Sequence, residues 1–511
     1  MAAGGWDLIV VGAGSAGAAL AVRSAEQGKR VLLLEAGADC RSAETPEEWR
    51  SPNPAVALMH PTAAAGMVWE GLDATRTEKQ PAAPYWRGRG TGGSSAINGQ
   101  IAIRPPMADF ADWALPGWSP REVLPWFARL EDDEEFGDEP YHGRGGPTPI
   151  HRVPRDRWGG VDAALARSAL AAGYPWAADV NAPGATGVSP YPINSRAGRR
   201  VSVNDGYLEP ARGRENLAIR GDALVDRVLF RSGRAVGVRV LAGGTAVDEY
   251  ADTVVLSTGA IHSPAILLRS GIGPARQLAS LGIEVRQDLP VGQGLQDHPM
   301  ALVSLPLTEE SAVKSPHDRH TNVCVRWTSE GGEFADDLMF VSLNQNVLAM
   351  AAADPGVHSG AFGVWLNQNH SRGELTLTSA DPTAQPRVAE RMLSDERDLA
   401  RLREGVRKLV ELARSAETAP ALASTVEGAN PELFEVLDHD AELDDYLLAT
   451  VVDAQHGTST CRMGEVVDPA CRVLGVDGLR VVDASVFPSV PRANTNLATI
   501  MLGEAMADRL D

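Results

Sequence analysis

The stretch at residues 7–37, DLIVVGAGSAGAALAVRSAEQGKRVLLLEAG, constrains the fold more than any other. Residues 8–11 are a short apolar run of the kind that forms a buried parallel strand. The run stops at Gly12-Ala13-Gly14-Ser15-Ala16-Gly17, a G-x-G-x-x-G turn, and an alanine-rich segment of helical character continues to about residue 27. Residues 31–34 give a second strand that ends on Glu35. Gly12 permits the tight turn, Gly14 lets a pyrophosphate approach the backbone, and Gly17 lets the helix pack on the strand. Ser15 opens the helix, whose N-terminal N–H groups and positive dipole end suit phosphates. Glu35 is placed to accept hydrogen bonds from a ribose, so an adenosine with a free 2′-hydroxyl is favoured over NADP. The strand, turn, helix, strand and acid occur in order and predict a dinucleotide site. They do not separate NAD from FAD.

At 511 residues the chain exceeds one simple core, and two domains are expected. Its net charge of −20 argues against nucleic acid or an anionic membrane surface as partner, since both would repel it. The acidic run Glu131-Asp132-Asp133-Glu134-Glu135 reads as a solvated helix end or loop. No signal peptide is visible in the opening residues, and no apolar run reaches the ~20 residues a spanning helix needs. Cys40, Cys324, Cys461 and Cys471 are scattered without metal-type spacing, so neither a disulfide framework nor a metal site is expected. These features predict a cytoplasmic protein.

A second glycine cluster, residues 87–99 (RGRGTGGSSAING), lies between ordered-looking flanks, and such a loop marks backbone close to a ligand. Residues 254–257 run into Thr258-Gly259-Ala260 and repeat the pattern of a strand followed by small residues. Helical segments are expected at 161–172, 394–415 and 441–449. Strands are expected at 217–219, 224–230, 235–241 and 252–257. Short β-like runs at 322–327, 338–343, 362–366 and 374–378 suggest a mostly antiparallel sheet. A last strand at 479–483 precedes a helix capped by Asn494 or Thr495, so the chain returns to the cofactor domain at its end.

Four segments carry a family resemblance. RGTGGSSAINGQIAIRPPMADFADWA (89–114) and STGAIHSPAILLRSGIGP (257–274) resemble the two signatures of the glucose–methanol–choline (GMC) flavoprotein oxidoreductases. PVGQGLQDHP (290–299) and the tail, HGTSTCRMG (456–464) through residues 476–510, resemble the family's later segments. The resemblance implies an α/β Rossmann-like FAD-binding domain made of 1–151, 196–300 and 450–511. A second, mostly antiparallel domain of 152–195 and 301–449, flanked by helices, would bind substrate.

It also implies FAD as cofactor and oxidation of an alcohol to the carbonyl, with a primary or aryl alcohol expected and oxygen or another acceptor taking the electrons. Sugar- or choline-type oxidation, and less so a lyase or photodecarboxylase reaction, are the alternatives. His456 is implied as the base and Asn494 as its amide partner; a neutral imidazole suits proton removal near neutral pH. Gly12, Gly14, Ser15, Gly17, Glu35, Ala36 and Val225 are implied for the ADP half. Thr91, Gly93, Ser94, Asn98, Gly99, Ile101 and Asn496 are implied for the flavin ring, and Thr258, Gly259, Asp483 and Ala484 for the pyrophosphate side. Ile97 occupies the position where some relatives link flavin through histidine, so non-covalent FAD is expected.

The other histidines (142, 151, 262, 298, 317, 320, 358, 370, 439) are expected to be structural or at the surface, with His298 near the cofactor domain's rim. Trp327, Phe340, Phe362 and Trp365 would either line an apolar pocket, as a cage for a quaternary ammonium in one reading, or fill a core. The oligomeric state is not legible.

Overall fold

The computed structural model describes residues 5–58, 65–345 and 358–510. Residues 1–4, part of the stretch read for a leader, lie outside these, as do parts of the 38–84 and 301–388 segments. The architecture is mixed α/β and is built on two large sheets.

The first sheet grows from the opening motif. β1 (Trp6–Val11) leads through the glycine turn into α1 (Ser15–Glu26) and then β2 (Val31–Leu34), which pairs parallel to β1 with Ile9 opposite Leu32. Strand Leu217–Arg220 adds parallel beyond β2, and Thr245–Leu256 adds parallel on the other side of β1. Leu479–Val481 completes the parallel core against Val254–Leu256. Residues 8–11, Val31–Leu34 and residues 254–256 are buried Val, Leu and Ile runs, as expected where helices cover both faces of a parallel sheet. The antiparallel strands Leu224–Arg231 and Arg234–Ala242 extend the same sheet. The strand read at 252–257 begins earlier, at Thr245, since its first half closes a hairpin across Gly243 and Gly244.

The C-terminal helix Thr495–Ala507 lies against α1 so closely that a Cβ at Gly503 would sit 2.4 Å from the Ala16 carbonyl oxygen. Glu504, wholly buried, ties the two helices through Arg23 and accepts from the Tyr207 hydroxyl.

The second sheet is antiparallel, in the order Val452–Asp453, Pro299–Pro306, Ser359–Leu366, Leu338–Leu343, Val323–Trp327, Gly187–Pro190. Its period-two alternation sorts the side chains. Trp327, Phe340 and Phe362 enter a core with helices Gly160–Ala171 and Glu396–Ala413. Cys324, Met339, Val341 and Trp365 point to the opposite face and pack with Ile101, Tyr191 and Ala493. A five-stranded sheet that includes Gln293–Leu295, Gly373–Thr376, Arg387–Ala389 and Asp73–Thr75 bridges the two units. Among the described residues no helix is long and apolar enough to cross a membrane.

The acidic run corrects the reading of a solvated segment. Glu131 and Asp133 are wholly buried, on a short strand paired with Thr148–Ile150. Arg104 Nη2 lies 2.7 Å from Glu131, and Arg152 lies 3.0 Å from Asp133 and 2.7 Å from Asp179. His142 bridges Glu131 at 2.8 Å and Asp179 at 2.9 Å. Three buried carboxylates thus face two guanidiniums, one of which also meets the part-exposed Glu135 at 3.0 Å, and a protonated imidazole balances the buried charges. Burial opposes that charge, but the bonds to Asp179 and Glu131 outweigh it and hold the imidazole up at about 9. Its raised value makes its stabilisation complete below the ordinary histidine value and lost as pH rises through about 9. Thermal midpoints should therefore fall across the alkaline side of neutrality, and His142→Gln should flatten that fall; calorimetry against pH measures it.

Candidate active site

The loops at the C-terminal ends of the parallel strands converge on one cleft edge, as expected for an open α/β sheet. Gly12 adopts φ +99°, and a Cβ there would meet the Ser257 carbonyl oxygen at 2.4 Å. A Cβ on Gly17 would lie 2.0 Å from the Gly12 oxygen. Gly14 and Gly93 face each other: a Cβ on Gly93 would be 2.8 Å from the Gly14 Cα. Ser15 Oγ donates to Asn496 Oδ1 at 2.7 Å, which brings the N-termini of α1 and the C-terminal helix side by side. Neither helix has a side-chain cap. Their first-turn N–H groups and dipoles therefore make an anion cradle.

Glu35 is 7% exposed and its carboxylate accepts from the amides of Ala13 (2.9 Å), Gly37 (3.0 Å) and Gly90 (2.9 Å). Burial pushes its carboxyl up, against those three amides. Two oxygens can accept about four bonds in all, so acceptor capacity remains for a ribose hydroxyl. Ala36 accepts from Arg89 at 3.0 Å, and Val225 is buried on its strand next to this end.

Thr91 exchanges two 3.0 Å bonds with the Cys40 backbone. Ser94 Oγ accepts from the Gly88 amide, which pins the glycine loop. Asn98 Oδ1 accepts from Arg200 at 2.9 Å, and the Gly99 carbonyl from Arg319 at 2.7 Å. Thr258 bonds Ser263, and Asp483 Oδ2 accepts from the Gly259 amide at 2.9 Å and from Ser263 Oγ at 2.6 Å. The Ala484 carbonyl accepts from the Ser459 amide. Gly12, Gly14, Ser15, Glu35, Gly90, Gly93, Ser257 and Asn496 thus meet at one end of the parallel strands, where the close glycine contacts and two helix ends without side-chain caps leave backbone donors for a dinucleotide's phosphates.

His456 and Asn494, 38 positions apart, meet with His456 Nε2 3.0 Å from Asn494 Nδ2. Asn494 sits at the N-cap position of the last helix, yet its side chain turns to the imidazole instead of capping. Its Oδ1 is buried and, among the described residues, without a partner. The turn before it is fixed by Arg492, whose amide donates to Asp109 and whose guanidinium is 2.5 Å from the same carboxylate.

His298 is not at a rim. It is fully buried, and its Nδ1 lies 2.9 Å from His456 Nδ1. Its Nε2 faces two carbonyls, Pro491 at 3.0 Å and Asn367 at 3.1 Å, so that nitrogen carries the proton. Burial holds His298 down at about 4, hence neutral, with a bare Nδ1 that can only accept. His456 therefore donates from Nδ1 and keeps a lone pair on Nε2. Burial, then the neighbouring His298 and Arg87, hold His456 well below its ordinary value. In this tautomer Nε2 accepts from Asn494 Nδ2, and a neutral imidazole beside an amide can take a proton while the amide holds an oxygen.

Trp365 stands edge-on to His456 at 5.7 Å and stacks on His298 at 5.9 Å, so it belongs to the site wall. Trp327, Phe340 and Phe362 lie on the other sheet face and are plain core, which overturns a pocket or cage built from them. Ile97 is 5% exposed and packs with Trp49, Ala57, Val68 and Ala96.

A parallel sheet opening on a glycine turn, an antiparallel second sheet and this imidazole–amide pair are the arrangement of an oxidoreductase of the family that the sequence motifs resemble. Residues 6–300 and 369–503 match the N- and C-terminal parts of the GMC oxidoreductases. The chain belongs to the GMC oxidoreductase family. It is 36% identical to a 5-(hydroxymethyl)furfural oxidase of Methylovorus sp. (strain MP688), over 99% of this chain and 98% of that relative. It is 32% identical to an oxygen-dependent choline dehydrogenase of Photobacterium profundum, over 99% of this chain and 93% of that relative. Pyridoxine 4-oxidase from Mesorbium loti superposes with a TM-score of 0.88 at 28% identity, covering 98% of each chain.

The crowding at the first turn gives a direct test. Gly17→Ala should destabilise the protein by about 1–3 kcal/mol, the usual cost of overpacking, read as a lower thermal midpoint.

Proposed function

We propose that the protein oxidises a primary alcohol carried on an apolar or aromatic framework to the aldehyde, with His456 as base and Asn494 as its partner. The tautomer forced on His456 by His298 carries this reading, because it leaves Nε2 unprotonated, as an acceptor that Asn494 Nδ2 faces at 3.0 Å and that a substrate hydroxyl would have to take over. Bound FAD would supply the hydride acceptor, and oxygen or another oxidant would take the electrons onward.

The residues' share is proton management and placement. His456 Nε2 receives the hydroxyl proton, and Asn494 Nδ2 donates to the developing alkoxide without competing for that proton. Ile101, Tyr191, Met339, Val341 and Trp365 form a buried apolar cluster, with Met300 packed on it, that reaches His456 through Trp365 and would serve as a wall keeping water from the carbinol. That wall, and the similarity to enzymes named for hydroxymethylfurfural and pyridoxine, supports an aryl-type primary alcohol. A choline-type cage is disfavoured, since three of the four candidate aromatics turn away from His456.

Gly12, Gly14, Ser15, Gly17, Glu35, Ala36 and Val225 would hold the ADP half. Thr258, Gly259, Asp483 and Ala484 would flank the pyrophosphate, and Thr91, Gly93, Ser94, Asn98, Gly99, Ile101 and Asn496 the flavin. We assign 1–151, 196–300 and 450–511 to the FAD domain and the remainder to the substrate domain, in a cytoplasmic enzyme. The FAD is non-covalent, since Ile97 offers no nucleophilic atom.

His456→Ala should slow anaerobic flavin reduction by at least ~10² with FAD still bound; unchanged reduction by a panel of aryl and alkyl alcohols would refute the base. His298→Ala removes the acceptor that fixes the tautomer and should cost ~10-fold or more in the same assay, with the pH profile displaced. Acid precipitation should leave the yellow colour in the supernatant; a yellow pellet would mean a covalent link.

A further inference from the structure

Behind the imidazole pair lies a second buried constellation that the proposed reaction does not use. Asp297, Glu390 and Asp453 come from three separate segments, and their carboxylate oxygens lie within 4.8 Å of one another. All three are at most 7% exposed. Arg76, Arg87 and Tyr85 face them from the segment after strand Asp73–Thr75, and the backbones of His298 and His456 face them from the active site.

Two of the acids are well supplied with donors. Asp297 accepts from the His298 amide at 2.7 Å, from the Tyr85 hydroxyl at 2.8 Å and from the backbone amide of His456, with Arg87 at 3.7 Å. Asp453 accepts on Oδ1 from the amide and side chain of Gln455, while its Oδ2 lies 2.5 Å from Arg76 Nε as a charge contact without hydrogen-bond geometry. Glu390 differs: it is 3% exposed, and among the described residues neither of its oxygens has a hydrogen-bond partner.

Three carboxylates face two guanidiniums. A third negative charge here would have no donor and two like-charged neighbours, and such a charge is neutralised by a proton. The two guanidiniums already inside the cluster work against a metal cation as the alternative. The proton belongs on Glu390, the one acid of the three with no donor on either oxygen.

We propose that Glu390 is a positioning residue, held as the neutral carboxylic acid, whose proton leaves Asp297 free as the carboxylate that ties down the backbones of both His298 and His456. Burial first, then the charges of Asp453 and Asp297, push the Glu390 carboxyl far above the usual carboxylate range, in keeping with this assignment. The proton is lost as pH rises through that raised range. There the trio carries an uncompensated charge directly behind the base, and both the position and the basicity of His456 change.

The inference rests on His456 as the base, and infrared spectroscopy separates the two. The holoenzyme at neutral pH should show the carbonyl stretch of a protonated carboxyl group that is missing from Glu390→Gln. Asp453→Asn, which restores charge balance with Glu390 still present and ionised, should lose the same band. Glu390→Gln imitates the neutral acid, so it should keep anaerobic flavin reduction within about threefold of wild type at neutral pH and lack wild type's alkaline change in rate. Asp297→Asn should cost ~10-fold, as expected for a displaced base. A band unchanged in Glu390→Gln, an alkaline limb identical in the two proteins, or a stoichiometric divalent metal lost with Glu390 would each overturn the proposal. Unimpaired reduction by His456→Ala, with the band still present, would instead sink the assignment of the base alone.

Discussion

The parallel pairing of Thr245–Leu256 with β1 on one side and Leu479–Val481 on the other is the constraint from which the site follows. It is a purely backbone arrangement, helped by the apolar residues 8–11, 254–256 and Val481 that it brings together. Its effect is to set Ser257, Gly12 and Asp483 at the same end of neighbouring strands. The Ser257 hydroxyl donates to the Val482 carbonyl at 2.8 Å, so the junction is locked where the chain leaves the sheet. From there the short run to Asn494 is held by Arg492 on Asp109, and Asn494 arrives beside His456.

Buried polar groups do the fine placement. Among the described residues Arg200 and Arg319 make no ion pair of their own; they bind carbonyls of Trp49, Pro52, Ser95, Thr321 and Gly99 and so hold the loop that carries Asn98. Burial lowers both guanidiniums, Arg200 to about 9 and Arg319 to about 10. Such groups cost free energy to desolvate, and that cost is offset by several charge-assisted bonds each. The same principle runs through the His142 network and through the acids behind His456. In each place a charge in the interior is matched by a counter-charge, a set of backbone dipoles or a proton.

Much of this was legible in the chain. Strand β2 lies where the apolar run predicts it, and the glycine positions, whose need for backbone room is local, sit where the motif places them. The α/β class and the antiparallel second sheet follow from period and spacing. What escaped is non-local. His298 shows nothing in Gln-Asp-His-Pro to mark it as the partner of an imidazole 158 positions away, and only the fold brings the two rings together. Glu131 and Asp133 look like surface because their counter-ions, Arg104, Arg152 and His142, are distant in sequence. Trp327 and Trp365 are indistinguishable as residues; strand register alone sends one into the helical core and the other to His456. Asp297, Glu390 and Asp453 are invisible for the same reason.

The late arrival of Leu479–Val481 also bears on how the protein is made. During synthesis β1, α1 and β2 emerge first, but the strand and helix that seal them are translated last. Until then an apolar sheet edge and the face of α1 that receives Gly503 stay uncovered, and non-local pairings of this kind form slowly. The parallel core therefore closes only after the last strand and helix have emerged, so its folding is completed by the end of the chain rather than by its beginning.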